Sequence, residues 1–203
     1  MKTAFFIIYL LPIFCFSQKK FATFNTSLTA GVSYTYNKSN HTDAAGSYGF
    51  KFSFGYQMKS LNISAGLQGM ILQTNIGKIP DGFGNQMKAI IVQPIFSLPV
   101  CISYRPINKI YPIAGIEVSP AVATSTHFSN TRLDYKLLSA YNDNINKFSI
   151  LTTAYFGIGF SLGNGASFEM LANGNYFISS LQHKTEEHPL FVGLSAGVHY
   201  SLK

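Results

Sequence analysis

The sequence predicts an all-β protein, an eight-stranded antiparallel up-and-down transmembrane β-barrel. Three observations carry this: long stretches where bulky apolar residues alternate with Gly, Ser, Thr and Asn; connections that alternate between long and short; and a charged fraction of only 11% beside 47% hydrophobic and 15% aromatic residues. An ordinary soluble domain is roughly 25% charged, so a solvated exterior would be short of charge here. The apolar content excludes intrinsic disorder, and two Cys exclude a disulfide scaffold.

The first element is a leader. Residues 1–17 read as a secretory signal peptide, with Lys2 in the n-region, an apolar run over residues 4–16, and cleavage near Ser17/Gln18. That run is too short for a spanning helix, which needs about twenty residues. Lipid attachment at Cys15 is the rival reading, and Phe14 speaks against it because it stands where a small residue belongs. Residues 18–203 are then the barrel domain. No later stretch holds eighteen unbroken apolar residues, so any membrane crossing is made by strands.

The strands follow from a period of two. In residues 48–58, Tyr48, Phe50, Phe52, Phe54, Tyr56 and Met58 share one side, and Gly49, Lys51, Ser53, Gly55 and Gln57 the other. Residues 26–36 and 61–72 repeat the pattern. Residues 90–104 and 110–122 keep it but contain Pro94, Pro99, Pro112 and Pro120, which remove ladder donors and call for bulges or irregular ends. Residues 148–162 and 166–178 alternate with Leu151, Tyr155 and Leu171 on the polar side, and residues 190–202 close the series. Short links at 59–60, 106–109 and 163–165 alternate with long polar ones at 37–47, 74–86, 125–147 and 182–189. All long loops therefore fall at one end, and both termini with the short turns at the other, as in outer-membrane barrels.

Alternation alone does not say which face looks outward. A soluble barrel would carry Lys and Glu on its polar side. Here that side is mainly small and uncharged, which suits a narrow lumen, while lipid can accept bulky Phe, Tyr, Leu and Ile without a volume limit. Tyr34, Tyr36, Tyr48, Tyr56, Tyr104, Tyr176 and Tyr200 sit near strand ends, where an interfacial girdle would lie. Lys51, Glu117, Glu169 and His199 all fall on the lumen side, and the expectation is a structural polar network in which Lys51 pairs with Glu117 or Glu169.

Residues 92–105 (VQPIFSLPVCISYR), followed by Tyr111-Pro-Ile-Ala-Gly115, resemble the fourth and fifth strands of the PorT-like outer-membrane β-barrel family, relatives in architecture of the OmpA-like eight-stranded barrels. Residues 194–202 are similar to that family's closing strand. The resemblance implies residence in the outer membrane of a Gram-negative bacterium and extends to a link with protein secretion. It brings no catalytic site.

Other chemistries are weaker. His199-Tyr200-Ser201 resembles the His-x-Ser pair of outer-membrane lipid A deacylases, but here it lies at the turn end on the lumen side, away from outer-leaflet lipid. His183, Glu186, Glu187 and His188 stand close in sequence in an expected outer loop without a preset metal geometry. The net charge is +7, with Lys19 and Lys20 the only adjacent basic pair, so nothing could track a nucleic-acid backbone. No catalytic residue, cofactor or metal is expected.

The expected partners are outer-membrane lipid, envelope or secretion-system proteins, and barrel-insertion machinery during biogenesis. That machinery would read Val192, Leu194, Ala196, Val198, Tyr200 and Leu202 as a terminal signal. The function expected is a non-enzymatic structural or interaction role through the loops or the turn-end rim. The alternatives are a lipid-modifying enzyme and a narrow solute channel.

Overall fold

The computed structural model describes residues 20–36, 45–80, 86–106, 108–124, 127–128, 147–178 and 188–202. The leader, its cleavage site, Cys15 and the His183–Glu187 cluster lie outside them. Eight antiparallel strands form a closed barrel: β1 (Lys20–Tyr36), β2 (Ala45–Met58), β3 (Leu61–Pro80), β4 in two pieces (Gln86–Ser97 and Val100–Tyr104), β5 (Ile110–Ala123), β6 (Phe148–Gly163), β7 (Ala166–Phe177) and β8 (His188–Leu202). Each strand pairs with its sequence neighbours, and β1 closes the ring on β8 from Ala22↔Leu202 to Tyr36↔His188. Closure leaves no lipid-facing edge, and lipid offers no partner to an unpaired backbone group. A two-residue pairing of His127–Phe128 with Ile91 and Val92 extends the wall beside β4.

The link expected at 74–86 is largely strand. β3 runs on to Pro80 and β4 starts at Gln86, with a register shift between Asn75 and Lys78. Its polar composition hides this, because both strands here keep pairing past the apolar stripe.

The prolines act less disruptively than expected. The break in β4 at Leu98–Pro99 keeps register on both sides: Ser97 and Val100 pair in step with Gln68 and Ala65 of β3, and with Ala121 and Val118 of β5. Leu98 N–H donates to Pro120 O and Gly66 N–H to Pro99 O, each at 3.0 Å. What is missing is only the pair of donors that Pro99 and Pro120 lack. β5 itself runs without a bulge against β6 from Ile110 to Val122.

At one end the links are the two-residue turn after Met58, the segment between Tyr104 and Ile110, and Asn164–Gly165. The last is a tight hairpin: Asn164 and Gly165 both have positive φ (50° and 83°), as an Asn-Gly loop of this kind requires.

The bulky stripe faces out. Phe50, Phe52 and Phe54 of β2 are 45%, 43% and 68% exposed, while Ser53 between them is buried. Tyr48, Tyr56, Tyr104, Tyr176 and Tyr200 also point outward. Tyr48 and Tyr56 stand about 26 Å apart along β2 at about 3.3 Å per residue, close to the roughly 25 Å apolar band of a membrane barrel. The side chains of Tyr34 and Tyr36 are not described. The closing strand conforms too, with Val192, Leu194, Ala196, Val198, Tyr200 and Leu202 all exposed. An exterior of this kind is stable only against lipid, so this is a membrane protein.

The lumen is not uniformly small and polar. Its half toward the long links is filled by Met70, Leu72, Ile95, Leu151, Phe177 and Phe191, all 4% exposed or less, with Ala121 and Ala123. Leu151, Tyr155 and Leu171 are the bulky residues that stand out in the sequence on the polar side; Met70, Leu72, Ile95 and Phe177 have the same parity as the polar residues of their strands. These four are hidden because both faces of their strand ends are apolar.

Candidate functional site: the polar lumen and its turn-end cup

Below the apolar layer the lumen carries two ionic clusters. In the upper one Lys51 Nζ donates to Glu117 Oε2 at 2.9 Å, and Ser119 Oγ donates to the other carboxylate oxygen at 3.3 Å. Lys51 also stands 5.5 Å from the centre of the Tyr155 ring, whose hydroxyl lies 2.7 Å from Cys101 Sγ. Thr153, Asn173, Asn175 and Ser195 continue this belt: Thr153 Oγ1 donates to Asn175 Oδ1 at 2.7 Å, and Asn175 Nδ2 to Asn173 Oδ1 at 3.0 Å.

The lower cluster is centred on Glu169 of β7. Arg105 Nη2 reaches Glu169 Oε2 at 3.2 Å, Asn25 Nδ2 donates to the same oxygen at 3.1 Å, and the Tyr111 hydroxyl lies 3.3 Å from Oε1. Arg105 Nη1 lies 2.7 Å from His199 Nδ1. Of the four expected lumen residues, then, Lys51 chooses Glu117, while Glu169 and His199 share a cation that parity reasoning misses. The signal is present: continuing Cys101 and Ser103 by one more step gives Arg105. Its place at the very end of the strand, next to Pro106, conceals it.

Two glycines make room for this network. Tyr111 stands opposite Gly159 and Tyr155 opposite Gly115 across the β5–β6 ladder, and a Cβ at either glycine would overlap the facing ring. Each inward Tyr therefore folds over the bare backbone of its partner strand.

Beneath the Arg105 cluster the barrel opens at the turn end into a cup of about 460 Å³. Its wall includes Gln57, Arg105, Tyr111, Ser161, Ser167 and His199, with the Gly163–Gly165 hairpin at the lip. His199 and Ser201 meet here, with Ser201 Oγ 3.4 Å from His199 Nε2. A guanidinium can only donate, so Nδ1 is the acceptor in the Arg105 contact and a neutral His199 carries its proton on Nε2. That nitrogen is then a donor toward Ser201 and cannot take the hydroxyl proton. Among the described residues no His, Cys, Asp and Glu cluster could hold a metal ion.

No family model and no curated protein matches the chain. Among solved structures, neisserial surface protein A superposes with a TM-score of 0.50 at 15% identity, over 87% of this chain and 96% of that one. The chain has the eight-stranded membrane-barrel fold. More distant matches include Ail, the attachment invasion locus protein of Yersinia pestis (TM-score 0.41, 16% identity, 88% and 99% covered), and outer membrane protein OprG of Pseudomonas aeruginosa (TM-score 0.46, 11% identity, 91% and 96% covered). Neisserial surface protein A shares its architecture with this chain at an identity that carries no site residues across.

Proposed function

We propose that the protein is a closed, non-conducting, non-enzymatic barrel of the Gram-negative outer membrane that anchors an interaction site at its turn-end rim. The observation that carries this reading is the apolar layer across the lumen. Met70, Leu72, Ile95, Leu151, Phe177 and Phe191 are buried together in the lumen above the Lys51–Glu117 pair, which supports a closed state. An eight-stranded barrel is just wide enough for side chains to fill, and here they fill it.

The His199 tautomer set by Arg105 argues against a Ser–His nucleophile, and the lumen position of the pair argues against lipid as its substrate. The resemblance of residues 92–105 and 194–202 to PorT-like barrels supports an envelope partner connected with secretion. Single-channel recording of the refolded protein in planar bilayers tests the closed state, with no conductance steps expected. Reproducible steps from wild-type protein would replace this reading with a channel. Photo-crosslinkers placed in cells at Asn108 or Asn164, compared with positions in the long links, test which end carries the partner.

A further inference from the structure

We propose that the turn-end cup binds a soluble molecule ending in an oxyanion, a carboxylate or a phosphate, received by the Nε–H of Arg105. Three observations converge. First, the guanidinium is already spoken for at two of its three nitrogens, Nη2 by Glu169 and Nη1 by His199, while the buried Nε–H has no partner among the described residues. A buried charged donor left unpaired is costly, and an oxyanion is its strongest complement. Arg105 is only 6% exposed and lines the cup, so its fork is held in place before any ligand arrives.

Second, the described wall of the cup holds this cation together with hydroxyls and amides, and no carboxylate. Glu169 fixes Arg105 from behind and does not line the cup. At about 460 Å³ the space falls in the range of small-molecule sites and far exceeds one inorganic anion. The ligand is therefore a molecule with an anionic end.

Third, the described charge at the turn end is of one sign. Among the described residues the only acidic side chains are Glu117 and Glu169, both in the lumen. The described turns at the cup carry Lys59, Arg105 and Lys109, and no Asp or Glu. Such a one-signed rim raises the local concentration of anions and speeds their entry. The cup opens along the barrel axis, away from the wall, which suits a soluble molecule better than a lipid headgroup.

Arg105 and Arg132 are the only arginines, so the Nε–H region of a nitrogen-15 NMR spectrum holds two signals, one of them an internal control. The protein is placed in zwitterionic nanodiscs and titrated with inorganic phosphate, N-acetylalanine and, as the uncharged analogue, N-acetylalanine amide. The Arg105 signal is expected to shift saturably with either acid and to stay fixed with the amide, while Arg132 shows no saturable change. Ser161→Phe and Asn108→Phe, two exposed positions at the mouth outside the ion-pair network, should each weaken the half-saturation at least tenfold. A shift that is linear and shared by both arginines, an absent shift, or unchanged binding in a folded mouth variant would overturn the proposal. The assignment rests on the turn end being the interacting end, yet it fails separately: a conducting barrel with a saturable Arg105 shift removes the closed state and leaves the site.

Discussion

Tyr111 of β5 stands directly across the ladder from Gly159 of β6, and its hydroxyl, reaching over that bare backbone, donates to Ser167 Oγ at 2.7 Å. The glycine is thus a steric requirement of the lower polar cluster. Gly159→Val should cost about 1–3 kcal/mol through overpacking against a ring held at both ends. Tyr111→Ala on that background should cost less than the two changes summed, because the clash is already gone. Urea titration of the heat-modifiable gel band reads both.

Arg105 and Glu169 form an ion pair whose side chains are 7% and 2% exposed. Removing one partner leaves an uncompensated buried charge, so Arg105→Leu or Glu169→Leu alone should each destabilise the barrel by about 3–5 kcal/mol. The double variant should lose less than either single one, since an apolar pair of similar size replaces the ions without orphaning a charge. Additive losses in the same urea titration would mean that the cup waters already screen the pair.

The strands of the barrel are legible in the sequence because lipid imposes a strict period of two, and Phe50 to Phe54 obey it without exception. The lumen is legible only where its residues contrast with the exterior. Lys51, Glu117, Glu169 and His199 stand out as charges or imidazole among apolar neighbours, whereas Phe177 and Phe191 sit between Tyr176 and Ile178 or Leu190 and Val192, and no alternation marks them. Arg105 is hidden differently, since Pro106 signals the end of pairing while the side chain of the preceding residue still points inward. Choosing between Glu117 and Glu169 as the partner of Lys51 needs the stagger between strands. Lys51 pairs with Ser27 and Gln68 in the ladder and reaches Glu117 only across the lumen.

On the proposed closed state, the apolar layer and the Lys51–Glu117 pair act as two separate barriers in the lumen. Lys51→Met with Glu117→Met should leave conductance at zero, because the layer above remains intact. Phe177→Ala with Phe191→Ala removes the two largest rings of that layer, each at a cost of about 3–5 kcal/mol. If this variant folds, it should admit water and small ions as far as the upper ionic belt, and the triple combination with Lys51→Met should show brief conductance steps. Steps from the Lys51/Glu117 variant alone would assign the barrier to the ion pair.

Phe52 lies midway between Tyr48 and Tyr56 on the outer face of β2 and pairs with Thr26 and Leu67 on either side. If those tyrosines mark the two interfaces, Phe52 is at the bilayer midplane. Phe52→Arg should then cost about 2–4 kcal/mol, while Tyr56→Arg, at the interface, should cost about 0–1 kcal/mol. Phe52→Leu should be nearly neutral, because lipid accepts either side chain without a cavity. The comparison is made by equilibrium folding into thin-lipid vesicles across a urea series, with the folded fraction read from the faster-migrating band of unboiled samples. The depth dependence is what discriminates: a barrel in water would gain or hold stability on placing a charge at position 52, and would show no difference between that position and 56.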